Sequence, residues 1–145
     1  MATVSDILAV KGPSVLSITP GASAMDAAML MNDRKIGSLL VMEEGRLIGI
    51  ITERDMLQRV LVARRDPAST PVGEVMTTEV LFCQPHTTVE EARGVMKNRR
   101  VRHLPVLDGN ERLLGLISIG DLNAHEAHHQ EQTISVLEAY IYGRA

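Results

Sequence analysis

Two short motifs, each a hydroxyl residue followed three positions later by an aspartate, are the strongest chemical signal in this sequence. Thr52 with Asp55 and Ser118 with Asp121 each stand where an apolar run ends and a helical pattern begins. A helix N-terminus presents free amides and the positive end of the helix dipole, so it favours a phosphate, and a hydroxyl there can donate to one. An acid one turn further on can accept hydrogen bonds from both hydroxyls of a ribose. The spacing therefore indicates two places where a nucleotide could bind.

The same motifs also have a purely structural interpretation. A Ser or Thr at the N-cap accepts a hydrogen bond from the amide three residues on, and the acid at that position bonds back to the cap. Gly49 and Gly115, three residues before each motif, favour the binding interpretation, because a missing side chain permits close approach of a ligand. The sequence alone leaves both interpretations open.

The two motifs are equivalent positions of an internal repeat. When Pro20 is set against Pro85, an offset of 65, apolar and basic positions match along the following segment. After the polar loops 43–46 and 108–112 the offset becomes 66, which brings Asp55 onto Asp121. Upstream, residues 4–8 echo residues 72–76 at an offset of 68, so the first unit carries three extra residues around 11–14.

Each unit has the same predicted order of elements. A short apolar strand precedes the proline, and the helix after it has apolar residues at the i, i+3, i+4, i+7 spacing of one buried face. Two apolar runs joined by a Gly-containing polar loop then predict a hairpin, and a second helix begins at Thr52 or Ser118. The predicted strands are 15–19, 36–42 and 47–51 in the first unit, and 80–84, 101–107 and 113–117 in the second.

The order β-α-β-β-α, present twice, resembles the CBS motif, and the residues agree with it. Residues 100–106, Arg-Val-Arg-His-Leu-Pro-Val, are similar to a strand of that family, and residues 49–55 and 115–121 are similar to its strand-to-helix turn. The resemblance covers roughly residues 4–125. It implies an α+β fold in which two CBS motifs pack with pseudo-two-fold symmetry, as a Bateman-type module. The expected organisation is motif one at 1–63, a charged, proline-containing linker at 64–71, motif two at 72–125 and a C-terminal helical tail at 126–145.

The resemblance also implies two pockets between the motifs, each suited to an adenosyl nucleotide such as AMP, ADP or ATP. In the family, the hydroxyl residue contacts phosphate, the aspartate binds the ribose diol, and the other motif lines the adenine. The pocket of Ser118 and Asp121 would then be lined by Ile36, Gly37 and Ser38 and closed by the segment Lys11, Gly12, Pro13, Ser14, Val15. The pocket of Thr52 and Asp55 would be lined by Val101, Arg102 and His103 together with Thr77, Thr78 and Val80.

These pockets are expected to be unequal. The second repeat has Arg102 and His103 where the first has Gly37 and Ser38, and basic residues at these strand positions hold phosphates in related sensors. We therefore expect the second motif, Ser118 with Asp121, to mark the tighter phosphate site. The competing interpretation is a solvated charge at Arg102 and a half-buried ring at His103. A histidine contact would also make binding depend on pH near neutrality.

Three other features carry weaker hypotheses. His125, His128 and His129 share one side of a predicted helix, but no second chelating segment completes a site, so we expect no metal. Cys83 is expected to be a buried small hydrophobe rather than a nucleophile. The apolar residues of the tail are expected to pack on a second chain or on their own repeat: Ile134, Leu137, Tyr140 and Ile141.

Composition narrows the function. A formal net charge of −3 and an aromatic fraction of 2% argue against nucleic-acid binding. No apolar run approaches the ~18 residues of a membrane span, the N-terminal residues do not resemble a signal peptide, and one cysteine fits a reducing compartment, so we expect a cytoplasmic protein. No recognised catalytic motif is present, so we do not expect an enzyme.

The sequence therefore predicts a sensor with a regulatory adenosyl nucleotide and no covalent cofactor. The resemblance implies a homodimer in which four motifs form a disc, and the output would pass to an effector protein of unknown identity. The alternative is a ligand-free homodimeric assembly module, in which the two motifs are only helix caps.

Overall fold

The fold consists of two helix–hairpin–helix units, each preceded by a short leading helix, and the first unit also has a short strand before its helix. The computed structural model describes residues 1–129, with side chains through residue 127. The helices are α1 (Val4–Lys11), α2 (Ala24–Arg34), α3 (Glu53–Asp55) with its π-helical continuation (Met56–Leu61), α4 (Val72–Val75), α5 (Val89–Arg99) and α6 (Ile119–His129). The strands are β1 (Ser17–Ile18), β2 (Ser38–Glu43), β3 (Arg46–Thr52), β4 (His103–Leu107) and β5 (Leu113–Ser118).

Each repeat builds its own small sheet, as the alternation of apolar runs and turns predicts. β2 and β3 form one antiparallel hairpin and β4 and β5 form the other. β1 pairs in parallel with β2, which gives the first repeat three strands. The α+β architecture and both predicted hairpins are confirmed.

The predicted strand at 80–84 is the exception. Only an isolated parallel bridge between Cys83 and Val106 forms there, although the equivalent residues of the first repeat, Ile18 and Val41, belong to a two-residue ladder. Pro105 occupies the place of Leu40, and proline has no amide hydrogen to donate to a ladder. The second repeat therefore keeps a two-stranded sheet.

The hydrophobic cores show that the two repeats exchange their leading helices. Val4 and Ile7 of α1 are buried in the core of the second repeat, against Leu104 and Ile117. Val72 and Val75 of α4 are buried in the core of the first repeat. As a result, α1 contacts β5 and α4 contacts β3. Each turn that carries a hydroxyl–aspartate motif therefore lies beside the leading helix of the other repeat.

The predicted C-terminal tail begins inside a helix. α6 runs from Ile119 to His129 and so continues past the predicted boundary at residue 125. Residues 130–145, with the apolar positions expected to pack on a second chain or on the protein itself, lie outside the described residues. Within residues 1–129, the helices are too short or too polar to cross a bilayer.

Candidate functional site

Both turns form complete capping boxes. Asp55 N donates to Thr52 Oγ1 at 3.1 Å and Thr52 N donates to Asp55 Oδ2 at 3.0 Å. The second turn repeats this arrangement, with Asp121 N to Ser118 Oγ at 3.1 Å and Ser118 N to Asp121 Oδ2 at 2.8 Å. The same box begins α2 and α5, far from either turn. A capping box by itself therefore does not mark a binding site in this chain.

A contact with the other repeat distinguishes the two turn aspartates from ordinary caps. Asp55 is 5% exposed, and Thr77 Oγ1, which follows α4, donates to its Oδ1 at 3.0 Å and its Oδ2 at 3.2 Å. Arg59 Nε lies 3.7 Å from Asp55 Oδ1. At the second turn, Lys11 Nζ donates to Asp121 Oδ2 at 2.6 Å. Each carboxylate thus lies at the junction between the repeats.

The surroundings of Asp121 hold it in its ionised form. Burial would raise the pKa of this carboxyl, but the hydrogen bond and charge of Lys11, together with the amide and hydroxyl of Ser118, lower it below its ordinary value. The carboxylate is therefore charged at neutral pH and paired with the Lys11 ammonium.

A cavity of about 720 Å³ opens beside the first turn, between the two repeats. This volume falls within the range of about 300–1,000 Å³ usual for small-molecule pockets. Seven residues predicted for the pocket of the first motif lie on its wall: Thr52, Asp55, Thr77, Val80, Val101, Arg102 and His103. The structure therefore brings these seven residues together on one wall, and their role in binding a ligand stays a prediction.

Charged side chains of both signs line this cavity. The acids come from the first turn and from the segment after α4: Glu53, Asp55 and Glu79. Arg54 stands between the two acids of the turn, and the other arginines come from the end of α5 and the segment before β4: Arg99, Arg100 and Arg102. Arg100 adopts a left-handed conformation (φ 55°) that ends α5 and redirects the chain toward β4. A ligand that carries both an anionic group and hydroxyls could contact residues of both signs.

The strand residues predicted to line the pocket of Ser118 and Asp121 lie in three different places. Gly37 lies on the wall of the first cavity, because its carbonyl accepts a hydrogen bond from Glu53 N at 3.0 Å across its own hairpin. This placement differs from the expected one beside Asp121. Ile36 packs against the core of the first repeat, and Ser38 is buried opposite Thr52.

The remaining predicted residues lie away from the first cavity. Thr78 lines a separate cavity of about 420 Å³ near the hairpin loops, where Arg46 and Arg112 are also found. Lys11 bonds Asp121, as described above, and Pro13 is exposed in the segment that follows α1.

Arg102 and His103 lie on the groove of Thr52 and Asp55, which contradicts the reasoning that assigned the tighter phosphate site to Ser118 and Asp121. His103 stands opposite Ser118 in the β4–β5 ladder, so its ring lies between the two turns. Burial lowers the pKa of His103, and the Lys11 cation lowers it further, against the opposing effect of Asp121. The ring is therefore neutral at neutral pH.

The two glycines before the turns admit protein rather than a ligand. A Cβ on Gly49 would lie 2.6 Å from Met76 Sδ and 2.9 Å from the carbonyl oxygen of Thr77. A Cβ on Gly115 would lie 2.8 Å from Leu8 Cδ2. The expectation that these glycines make room for a ligand is wrong, because the exchanged leading helices occupy that space.

Sequence reasoning missed several cavity residues. Arg54, Glu79, Leu81, Arg99 and Arg100 also line the first cavity. The cluster of arginines at 99, 100 and 102 was the available signal, since it stands where a helix ends before a strand.

The weaker sequence hypotheses concern positions away from this cavity. Cys83 is buried, and burial raises the pKa of its thiol to about 11, as expected for a residue of the core. Among the side chains that the structure describes, no three potential ligands group as a metal site. His128 and His129 belong to α6, but their side chains lie outside the described part.

Comparisons with known proteins agree on the architecture. The family model of the CBS domain matches residues 3–62 and 72–127. The mitochondrial CBS domain-containing protein CBSX3 of Arabidopsis thaliana is 36% identical over 150 residues, which cover 97% of this chain and 72% of that protein.

Solved structures share the fold. A protein with CBS domains from Burkholderia ambifaria superposes with a TM-score of 0.84 at 39% identity, covering 89% of this chain and 96% of the other. A CBS domain protein from Pyrobaculum aerophilum, complexed with AMP, superposes with a TM-score of 0.72 at 24% identity, covering 82% and 88%.

Proposed function

The chain belongs to the CBS-domain family, and we propose that it is a regulatory module that binds an adenosine nucleotide in the groove of Thr52 and Asp55. The observation that carries this proposal is the 720 Å³ cavity between the repeats, whose wall includes Asp55 of the first repeat and Arg102 of the second. The AMP complex of the Pyrobaculum protein, which shares the fold, is consistent with such a ligand.

In the proposed complex, the ribose lies against the first turn. A carboxylate offers about four lone-pair positions. Asp55 already accepts hydrogen bonds from Thr52 and Thr77, mostly at Oδ2, so Oδ1 keeps capacity for a ribose hydroxyl. The Thr77 hydroxyl can in turn accept a hydrogen bond from the second hydroxyl of the diol.

The phosphate lies against Arg102 in the proposed complex, and the adenine lies against aliphatic side chains of the cavity wall. Arg102 can form a bidentate pair with phosphate oxygens, and a nearby dianion would favour the protonated form of His103. The helix N-terminus contributes less, because Glu53 N bonds Gly37 and Asp55 N bonds Thr52, which leaves at most the Arg54 amide of the first three. Val80, Leu81 and Val101 would contact the base: they are the aliphatic side chains of the wall.

Thermal-shift and calorimetric titrations with AMP, ADP, ATP, S-adenosylmethionine, NAD and GMP test the proposal on protein shown to be free of nucleotide. A ligand at a hundred times its Kd stabilises the folded state by about 2.7 kcal/mol. We expect an adenosine nucleotide to stabilise the protein, and Asp55→Asn and Arg102→Gln to weaken its binding. Asp26→Asn is the matched control, because Asp26 forms the same capping box on α2, away from the cavity. Absence of a shift with every nucleotide would refute the proposal.

A ligand-free assembly module is the second candidate, and an exposed apolar surface favours it. Four large apolar side chains of α2 and the neighbouring π-helical stretch are between 39% and 70% exposed: Met25, Met29, Leu57 and Leu61. We call them the first-repeat apolar surface. The equivalent residues of the second repeat are polar or small: Glu90, Gly94, Asn123 and Ala127.

We further propose that this surface pairs with its copy in a homodimer, a use that is compatible with nucleotide binding. Large exposed apolar areas commonly mark protein interfaces, and a symmetric dimer places identical surfaces together. Sedimentation analysis should then show a dimer that Met29→Lys or Leu57→Lys dissociates. Val95→Lys is the control, since Val95 is a partly exposed apolar residue on α5 of the second repeat. A monomeric wild-type protein would contradict the dimer without affecting the nucleotide proposal.

Regulation would follow from the location of the groove at the junction of the repeats. A ligand shifts a conformational equilibrium only by its difference in affinity between the two states. A nucleotide that joins Asp55 of the first repeat to Arg102 of the second would favour one relative arrangement of the repeats, which an effector protein could recognise. We assign the chain this regulatory role and no catalytic step.

A further inference from the structure

The two turns are matched in sequence, but the other repeat contacts them by different means. Ile50 and Leu116 are equivalent residues, one in each hairpin. At the first turn, the main chain of Thr77 pairs with Ile50 in both directions (2.8 and 2.9 Å), and its hydroxyl bonds Asp55. At the second turn, the side chain of Lys11 makes both contacts.

The Lys11 ammonium takes the place of a backbone group and a hydroxyl at once. Its Nζ donates to the carbonyl oxygen of Leu116 at 2.6 Å and to Asp121 Oδ2 at 2.6 Å. The cause lies in the leading helices, because α1 has eight residues and α4 has four. Ala9, the equivalent of Thr77, is therefore still helical, and a long side chain at the helix end spans the distance that extended backbone covers at the first turn.

The difference between the Thr77 hydroxyl and the Lys11 ammonium alters what each aspartate can bind. A threonine hydroxyl both donates and accepts, whereas an ammonium donates three hydrogen bonds and accepts none. The diol of a ribose needs acceptors for its two hydroxyl hydrogens. Asp55 with Thr77 offers them on Oδ1 and on the threonine hydroxyl. At the second turn, Ser118 N and the Lys11 cation share Oδ2 of Asp121, which leaves Oδ1 as the acceptor, and the ammonium adds none. A diol that displaced Lys11 would leave a partly buried ammonium without its ion pair, since its side chain is only 32% exposed.

We infer that Lys11 is a specificity-determining residue: its ammonium occupies Oδ2 of Asp121 and supplies no acceptor for the second hydroxyl of a ribose diol, so that each chain binds one nucleotide, at the first turn. The inference rests on the proposed function. It predicts that the inequality of the two grooves originates in the leading helix rather than in the hydroxyl–aspartate motifs.

Calorimetric titration with AMP, which reports stoichiometry, tests the inference. We expect one AMP per wild-type chain and two per Lys11→Met chain, because methionine keeps the unbranched stem and removes the charge. Lys97→Met is the matched control, since Lys97 is exposed on α5 away from both turns, and it should keep one site. Two equal sites in the wild-type protein, or one site in Lys11→Met, would overturn the inference and leave the proposed function intact. No binding by any of these proteins would overturn both.

Two further measurements keep the inference testable if Lys11→Met does not fold. In an otherwise wild-type chain, Asp121→Asn should leave one AMP site, whereas Asp55→Asn should remove it; the reverse result refutes the assignment of the open groove. A carboxyl NMR titration should place the pKa of Asp121 below that of a free aspartate in the wild-type protein. An Asp121 that titrates at or above the ordinary value would show that Lys11 does not occupy it.

Discussion

Substituting alanine for Gly49 tests the claim that protein, rather than a ligand, fills the space before the first turn. The added Cβ would lie 2.9 Å from the carbonyl oxygen of Thr77, which already accepts a hydrogen bond from Ile50. It would also lie 2.6 Å from Met76 Sδ. Met76 can change its rotamer, but the carbonyl can retreat only if the main-chain pairing between α4 and β3 opens.

The magnitude follows from these two contacts. Overpacking of a well-packed site costs about 1–3 kcal/mol. Alanine also restricts the unfolded chain, which returns about 0.4–1 kcal/mol. We therefore expect Gly49→Ala to lower the free energy of unfolding by about 1 kcal/mol. With a urea m value of about 2 kcal/mol/M, the unfolding midpoint falls by about 0.5 M.

Gly115→Ala is the comparison at the equivalent position. There the closest atom, at 2.8 Å, is Cδ2 of Leu8, the end of a flexible side chain. A strained rotamer costs about 0.5–1.5 kcal/mol, close to the gain from the unfolded chain, so the net change should be small. Gly94→Ala on α5, where a Cβ meets nothing within 4 Å, should stabilise the protein.

Urea unfolding of the three variants at constant pH decides whether protein or a ligand fills the space before the turns. If Gly49→Ala is no less stable than Gly115→Ala, the packing argument is wrong. If either variant folds with wild-type stability and loses AMP binding, the space serves a ligand after all.

Three further predictions concern single side chains. Asp55→Asn should lower the free energy of unfolding by about 1–3 kcal/mol, because it leaves buried donors unpaired. Asp26→Asn, at the exposed cap of α2, should cost less in the same urea titration. Equal losses would show that the Thr77 contact contributes nothing. The pKa of His103 in the folded protein is lowered from 6.5, so as the pH falls the unfolded chain takes up a proton before the folded protein does. The free energy of unfolding should therefore fall as the pH drops below about 6.5, and it should fall less steeply in His103→Gln. Cys83, with its pKa raised to about 11, should resist Ellman's reagent at pH 8 until urea unfolds the chain; rapid reaction of the native thiol would contradict its burial.

Local features of the sequence predicted the elements of this fold well. The hairpins and main helices follow from periodicity within a dozen residues, and the repeat confirms each assignment with a second copy. Val95 lies six residues after Val89, off the i, i+3, i+4, i+7 face of α5, and it is 37% exposed. The strand predicted at 80–84 is missing because Pro105 has no amide hydrogen to donate to it. The proline was visible in the sequence, but the residues with which it would pair were not.

The contacts between repeats could not be predicted from such local patterns. The exchange of the leading helices brings together residues that are 105 positions apart at Lys11 and Leu116 and 22 apart at Thr77 and Asp55. No periodicity within either helix indicates on which core it packs. The functions of Gly49, Gly115 and Lys11 all depend on this exchange. The basic residues Arg102 and His103 line the cavity beside the first turn, as the resemblance implied, and that they hold a phosphate there stays a prediction.

The exchange also explains why the two grooves can differ while their motifs stay alike. Thr52 with Asp55 and Ser118 with Asp121 hold the N-termini of α3 and α6, so replacing either pair would weaken a helix as well as a binding site. The partner supplied by the other repeat has no such second role in capping. A hydroxyl at that place adds an acceptor beside the aspartate, whereas an ammonium occupies one of its oxygens and adds none. Under the proposed function, the leading helices would therefore set the number of ligands that this chain binds without altering the turns that its fold requires.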